Sequence, residues 1–276
     1  MKKIEQSGIC VLILRMSSLK GMTSVGRLFM DVIPSRDDIR SVPQRDDIRK
    51  TTFTKLTMKK IIITPPILDA APQYRIMALT CSLCNTDLDE TLWQEIDAET
   101  ELFRQKYVVE DINKLPGIYE MRQLYKKLGK DPNRYRPSAE ALCRRILKDK
   151  SLYRINTLVD IINLISIHTG YSIGGFDYEK ISGDLKLGVG EAGEKFEAIG
   201  RGFLNIDGLP VYRDELGGIG TPTSDEERTK IDLGTRKLLM IINSSDGDDG
   251  FQDALNLTKR LLFKYVNAND LTFVQI

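Results

Sequence analysis

The chain has 276 residues, 41% hydrophobic and 29% charged, enough to bury one sizeable core or two small ones. Forty Lys plus Arg stand against thirty-nine Asp plus Glu, so attraction to nucleic acid cannot come from total charge and must come from where the charge sits. The four cysteines, Cys10, Cys81, Cys84 and Cys143, are too few and scattered for a disulfide framework and fit a reducing compartment. No apolar run approaches the roughly 20 residues of a membrane span, and Ile9 to Leu14, stopped by Arg15, falls short of a signal-peptide core. The expectation is a soluble, cytoplasmic protein with no membrane attachment.

Residues 1–57 lack sustained apolar periodicity and hold a near-duplicate, Ile33-Pro-Ser-Arg-Asp-Asp-Ile-Arg40 and Val42-Pro-Gln-Arg-Asp-Asp-Ile-Arg49, too short for a structural repeat. Met58 opens a second plausible start, and Ile61 to Thr64 can begin a strand. Residues 1–57 are therefore expected to be a disordered extension or untranslated upstream sequence, with one domain over 58–276.

Asp87 to Glu101 contains seven acids and no base, with Leu88, Leu92, Trp93, Ile96, Leu102 and Phe103 mostly at helical spacing. This predicts an amphipathic helix whose acidic outer face is solvated and turned away from any RNA. The charge then reverses: Met121 to Lys150 holds ten Lys plus Arg against three acids. Within that block Ser138 is placed to cap a helix to about Lys148, with Leu142, Cys143, Ile146 and Leu147 inward and Arg144, Arg145 and Lys148 outward. Tyr125 and Tyr135, interleaved with the cations, could stack on bases.

Thr157 and Asp160 fit a capping box for a helix that ends at Gly170. Short strand-like runs follow at Leu185 to Leu187, Leu209 to Tyr212 and Lys237 to Asn243. A last helix with Phe251, Leu255, Thr258, Leu262 and Tyr265 on one face precedes a terminal strand, Leu271 to Ile276. Helices early and strands late favour an α+β fold.

Several motifs carry less than they suggest. Cys81 and Cys84 lack the further ligands a structural zinc needs. Gly188-Val-Gly190-Glu-Ala-Gly193 fits a dinucleotide fingerprint, but Glu191 and Glu194 would repel phosphate and a strand-like run follows, so a turn is expected. The Asp246 to Gly250 loop lacks the twelfth-position glutamate of a calcium loop; its acids are expected to favour the next helix start. His168 has no nucleophile at motif spacing and reads as a helix-terminal structural residue.

Three stretches together do carry a resemblance: Leu128-Gly129, Pro132 and Arg136-Pro137-Ser138-Ala-Glu140-Ala-Leu142; then Asn156, Val159-Asp160 and Asn163; then Gly170 and Phe176-Asp177. In order and spacing they resemble the B3/B4 domain, the tRNA-editing module of the phenylalanyl-tRNA synthetase β subunit, here without the modules of a whole ligase. The resemblance implies an α+β domain with helices on mixed β-sheets, tRNA or aminoacyl-tRNA as partner, and hydrolysis of the ester of a mischarged tRNA. It implies no metal and no organic cofactor. An aminoacyl ester is already activated, so a site can work by positioning water and stabilising an oxyanion. Asn163 matches a pocket position and Asp160 lies beside it in the motif. Gly174 stands where bacterial domains carry a histidine, which leaves recognition or hydrolysis open to change. Asp214, Thr221, Thr223, Ser224, Asp225 and Arg228 lie on a later loop that could supply polar groups. Lys126, Lys127, Lys130, Arg134, Arg136, Arg144 and Arg145 are the candidate RNA contacts. Two alternatives stand beside a deacylase: a non-catalytic tRNA-binding module, and a binder or hydrolase of a free amino acid or small ester.

Overall fold

The computed structural model describes residues 57–245, 247 and 250–276. Their elements run β1 (Ile61–Ile63), α1 (Pro65–Ala70), β2 (Arg75–Ser82), α2 (Glu90–Lys106), α3 (Pro116–Lys127), α4 (Ser138–Ile146), α5 (Thr157–Thr169), β3 (Ser172–Asp177), β4 (Leu185–Val189), β5 (Glu197–Ala198), β6 (Gly202–Phe203), β7 (Pro210–Asp214), β8 (Gly217–Gly220), β9 (Lys237–Ser244), α6 (Phe251–Tyr265) and β10 (Asn269–Gln275). The expected extension lies outside the described residues except for Thr57, whose carbonyl accepts a hydrogen bond from the Tyr178 hydroxyl at 2.6 Å. Asp246, Asp248 and Asp249 of the acidic loop also lie outside them.

The fold is α+β. One sheet has the order β10-β2-β9-β3, antiparallel throughout; a second, mixed sheet has the order β1-β4-β7-β8, with β1 parallel to β4. Alternation along β2 and β9 separates two cores. Met77, Leu79, Cys81, Leu238, Met240 and Ile242 pack with α2, α5 and α6. Ile76, Ala78, Leu239 and Ile241 pack against the second sheet through Leu185, Leu187, Val211 and Ile219. Both faces of β2 and β9 are thus covered, which explains their unbroken apolar runs. Asn243 ties the sheets: its Oδ1 accepts from the Tyr74 hydroxyl at 2.8 Å and the Tyr212 hydroxyl at 2.5 Å, and its Nδ2 donates to the Ser172 carbonyl at 2.9 Å.

Helix α5 sits against the first core with Leu158, Ile161, Leu164 and Ile165 buried, each contributing about 2 kcal/mol by burial. Its cap is one residue earlier than the capping box predicts. Asn156 accepts from the Val159 amide at 3.0 Å, while the Asp160 carboxylate reaches past Thr157 to the Ile155 amide at 3.2 Å. Thr157 is diverted to a neighbour, its hydroxyl lying 2.6 Å from that of Thr86. The other end is as expected: Gly170, at φ 75°, takes the left-handed turn that closes the helix. The Gly188–Gly193 motif lies across the end of β4 and the turn toward β5, as expected.

Helix α4 begins at Ser138 without the expected side-chain cap, because the N-cap position falls on Pro137, which has no side-chain acceptor; Ser138 is the first helical residue, and its amide donates to the Pro222 carbonyl at 2.8 Å. The motif's glutamate, Glu140, is fully buried among cations: Arg122 Nη1 at 2.7 Å, Arg144 Nε at 2.7 Å and Arg136 Nε at 3.8 Å. Arg144 therefore does not face freely outward; it also donates to Asn113 Oδ1 at 2.9 Å. On α2, Leu92, Trp93, Ile96 and Phe103 are buried while Leu102 stays exposed, as does Leu88, which falls before the helix begins. Part of its acidic face is engaged rather than only solvated. Glu95 accepts from Arg260, Lys264 and Tyr265; burial acts to raise its pKa, but these donors hold it at about 2.

Removing one partner from a buried ion network leaves charge uncompensated. Glu140→Ala is expected to cost about 3 to 5 kcal/mol in urea unfolding; a loss below about 1 kcal/mol would contradict a structural role for this residue.

Candidate active site

A cavity of about 390 Å³ opens between α4, α5, β3 and the loop after β8, within the size range of small-molecule sites. Ile155, Val159, Ile162, Ile173, Ile199 and Ile231 give it apolar walls, and Asn163, Thr221, Ser224, Asp225 and Lys230 are its polar groups. Ser138, read from the sequence as a helix cap, and Ser166, which the sequence did not single out, also reach it.

Residues 221–225 are held as a tight turn. The Thr221 hydroxyl donates to the Ser224 carbonyl at 3.0 Å and accepts from the amides of Thr223 and Ser224 at 3.1 and 3.0 Å. Those two amides are consequently used by the turn. Bonds from outside fix it, among them Ser138 N–H to Pro222, already noted, Ile199 N–H to the Asp225 carbonyl at 3.0 Å, and a 2.9 Å contact between the hydroxyls of Tyr125 and Thr223. Tyr125 is fully buried, so it positions the loop and is not available to stack on a base.

Asp225 is the one carboxyl among the cavity-lining residues. Its Oδ2 accepts from the Gly175 amide at 3.2 Å. Burial pushes its pKa up to about 7, and the Gly175 bond offsets this only in part. Gly174 explains itself here: a Cβ would lie 2.7 and 2.9 Å from the buried Phe176 ring and 3.5 Å from Asp225 Oδ1. A histidine at 174 would therefore need the ring to move. Asn163 shares the cavity and, among the described residues, its side-chain amide makes no hydrogen bond within the protein.

The structure thus brings Asn163, Thr221, Ser224 and Asp225 together, with Gly174 and Thr223 just behind them. It separates the rest. Asp160 is buried on the far side of α5, accepting from Trp93 Nε1 at 2.8 Å; burial raises its pKa, opposed by its donors. Asp214 and Arg228 form a two-pronged pair at 2.9 and 3.0 Å outside the cavity. Burial acts to raise the Asp214 pKa, but Arg228 and the Ser182 and Leu216 amides hold it below the usual carboxylate range.

The candidate RNA cations divide likewise. Lys126, Lys127, Arg134 and Arg136 are exposed. Lys130 is buried, its ammonium lying 3.9 Å from the Tyr135 ring centre and donating to the carbonyls of Asn205 and Asp207. Arg144 belongs to the Glu140 network. Arg145 stays partly exposed, 3.9 Å from the centre of the Tyr153 ring. A wider cleft, about 690 Å³, opens near the ends of α2 and α5, but its Glu99 and His168 bind each other at 2.9 Å. That pairing raises the His168 pKa and fits a helix-terminal structural histidine. Cys81 is buried in β2, its thiol pushed up to about 12 by burial.

Residues 120–252 match the family model described as the B3/4 domain. The phenylalanine–tRNA ligase beta subunit of Bartonella henselae is 35% identical over 125 residues, covering 44% of this chain and 16% of that subunit. The same subunit of Bartonella quintana is 34% identical over 88 residues, covering 31% and 11%. The chain thus matches less than one fifth of either relative. Among solved structures, an N-terminal fragment of the phenylalanyl-tRNA synthetase beta subunit from Pyrococcus horikoshii aligns over 80% of this chain and 55% of that fragment, at TM-score 0.42 and 15% identity. Among the described residues, no helix is long and apolar enough to cross a membrane.

Because the folded state holds the Asp225 proton up to about pH 7 and an unfolded carboxyl releases it near pH 4, ionising Asp225 costs stability as pH rises through that window and costs nothing below it. Asp225→Asn should therefore stabilise the protein at high pH. The gain at pH 8 should exceed that at pH 5 by ~2 kcal/mol in urea unfolding; equal effects at both values would contradict the buried carboxyl.

Proposed function

We propose that this chain, which carries a B3/4 domain over residues 120–252, hydrolyses the ester of aminoacyl-tRNA in trans, in the cytoplasm, with the acyl group held in the cavity between Asn163 and Asp225. The observation that carries the reading is the pairing of an amide without an internal partner and a carboxyl raised to about 7 across one mostly apolar pocket. Such a pocket suits an amino acid: isoleucines take the side chain, and a polar acceptor takes a donor of the acyl group.

The chemistry needs no protein nucleophile. Water attacks the ester carbonyl, the electron pair moves onto oxygen, and collapse expels the ribose hydroxylate, which takes a proton as the free amino acid leaves. The Asn163 amide can donate to the oxygen on which charge develops or hold the attacking water. Either role lowers the barrier because the group is placed beforehand between apolar walls. Asp225, once ionised, accepts a hydrogen bond from the substrate. The amides of Thr223 and Ser224, bound to Thr221, take no part.

The test is the deacylation rate of phenylalanine tRNA charged with tyrosine or with phenylalanine. Acceleration of one ester is expected, reduced about 10- to 100-fold in kcat/KM by Asn163→Ala. For the wild type, kcat/KM should gain an inflection near pH 7 that Asp225→Asn lacks. A protein that binds the charged tRNA and leaves both ester lifetimes unchanged would sink the hydrolase reading in favour of a binding module.

A further inference from the structure

The segment between α4 and α5 sends successive side chains in different directions. Arg154 turns to α2, its guanidinium 4.5 Å from the Trp93 ring centre and 3.2 Å from Glu90 Oε1. Ile155 enters the cavity wall. Tyr153 lies against Arg145 of α4, 3.9 Å from guanidinium carbon to ring centre, and is still 65% exposed. Helix α4 repeats the arrangement: Leu142 lines the cavity, and Arg145, three residues on, shares its face. Tyr153 thus precedes the cavity-lining Ile155 by two residues and Arg145 follows the cavity-lining Leu142 by three, so both members of the stack stand close in the chain to the cavity wall. The guanidinium is fixed from below, its Nε donating to the Ser151 carbonyl at 2.6 Å.

A large aromatic ring left mostly in water, two residues from the cavity-lining Ile155 and with a cation already stacked on it, needs a reason. An internal role for the ring would call for burial, and Tyr153 has little. The pair presents a flat aromatic surface and a positive charge together, the combination that holds an unpaired base and its phosphate.

We infer that the Tyr153–Arg145 stack is the platform for the 3′-terminal base of the RNA whose ester enters the cavity. Tyr153 holds the base, Arg145 contributes charge to the adjacent phosphate, and the ribose between them places the ester over the pocket mouth. The inference rests on the reading of the cavity as an aminoacyl site, and it makes Tyr153 a positioning residue that touches the nucleoside and not the reacting carbonyl.

The experiment is a fluorescence titration of the full chain with a short, uncharged single-stranded RNA ending in CCA and with the same RNA lacking its terminal base. The wild type should bind the intact RNA about tenfold more tightly than the abasic one. Tyr153→Ala should lose that preference and Tyr153→Phe should keep it. Arg145→Ala should weaken both RNAs and reduce the salt dependence of binding. Equal wild-type affinity for the two RNAs, or no measurable binding, would overturn the inference whether or not the alanine variant folds. Because the RNA carries no ester, a base-dependent affinity in a protein that hydrolyses nothing would count against the hydrolase alone.

Discussion

The hydrogen bond from the Gly175 amide to the Asp225 carboxyl joins the two sheets at the cavity, as Asn243 joins them in the core. Gly175 lies on β3, an edge of the antiparallel sheet, and Asp225 follows β8, an edge of the mixed sheet. Their meeting point is one wall of the cavity. Phe176 is the reason they can approach: its buried ring lies beneath Gly174 and Gly220, and a Cβ on either would come within 2.7 Å of it. Two glycines thus let the edges close on a carboxyl, and the closure raises that carboxyl's pKa. The site's electrostatics follow from the packing of one phenylalanine.

The polar signature of the α4 region serves this junction more than it serves a ligand. Arg136-Pro-Ser138 brings an amide to Pro222, Tyr125 brings a hydroxyl to Thr223, and Glu140 gathers three arginines. Charge used in that way is unavailable to RNA. Of the seven candidate cations, Lys130 and Arg144 are engaged inside the protein, Arg136 stays half exposed beside Glu140, and Arg145 stacks on the exposed Tyr153 ring. The local basic excess is real, but burial decides which part of it reaches solvent.

Much of the architecture was legible from periodicity and punctuation. The helix closed by Gly170, the α6 stripe and the strand around Lys237 to Asn243 all follow from apolar spacing. Strand β2 escaped because its apolar run, Ile76 to Leu79, is shorter than that of β9 and passes through Thr80 into the Cys81–Cys84 pair that suggests other chemistry. Strand β3 escaped because Ser172 to Asp177 reads as a glycine turn when only sequence is considered; as an edge strand against β9 it tolerates both glycines. At the site, Asn163 and Asp225 were nameable from the motif and the loop. The distinction between them and Asp160, Asp214 or Arg228 was not, since it depends on which side of α5 or of the mixed sheet each side chain leaves. Thr221 could have been weighted more heavily, because Thr221-Pro-Thr-Ser is a natural side-chain-stabilised turn.

The account stands on the cavity between Asn163 and Asp225 being where an aminoacyl group sits. The most direct measurement is a crystal structure of the protein with an adenosine carrying the amino acid through a non-hydrolysable 3′-amide. The account predicts the acyl group inside this cavity, within hydrogen-bond distance of Asn163. Density for the analogue in the cleft beside His168, with this cavity holding only solvent, would contradict it.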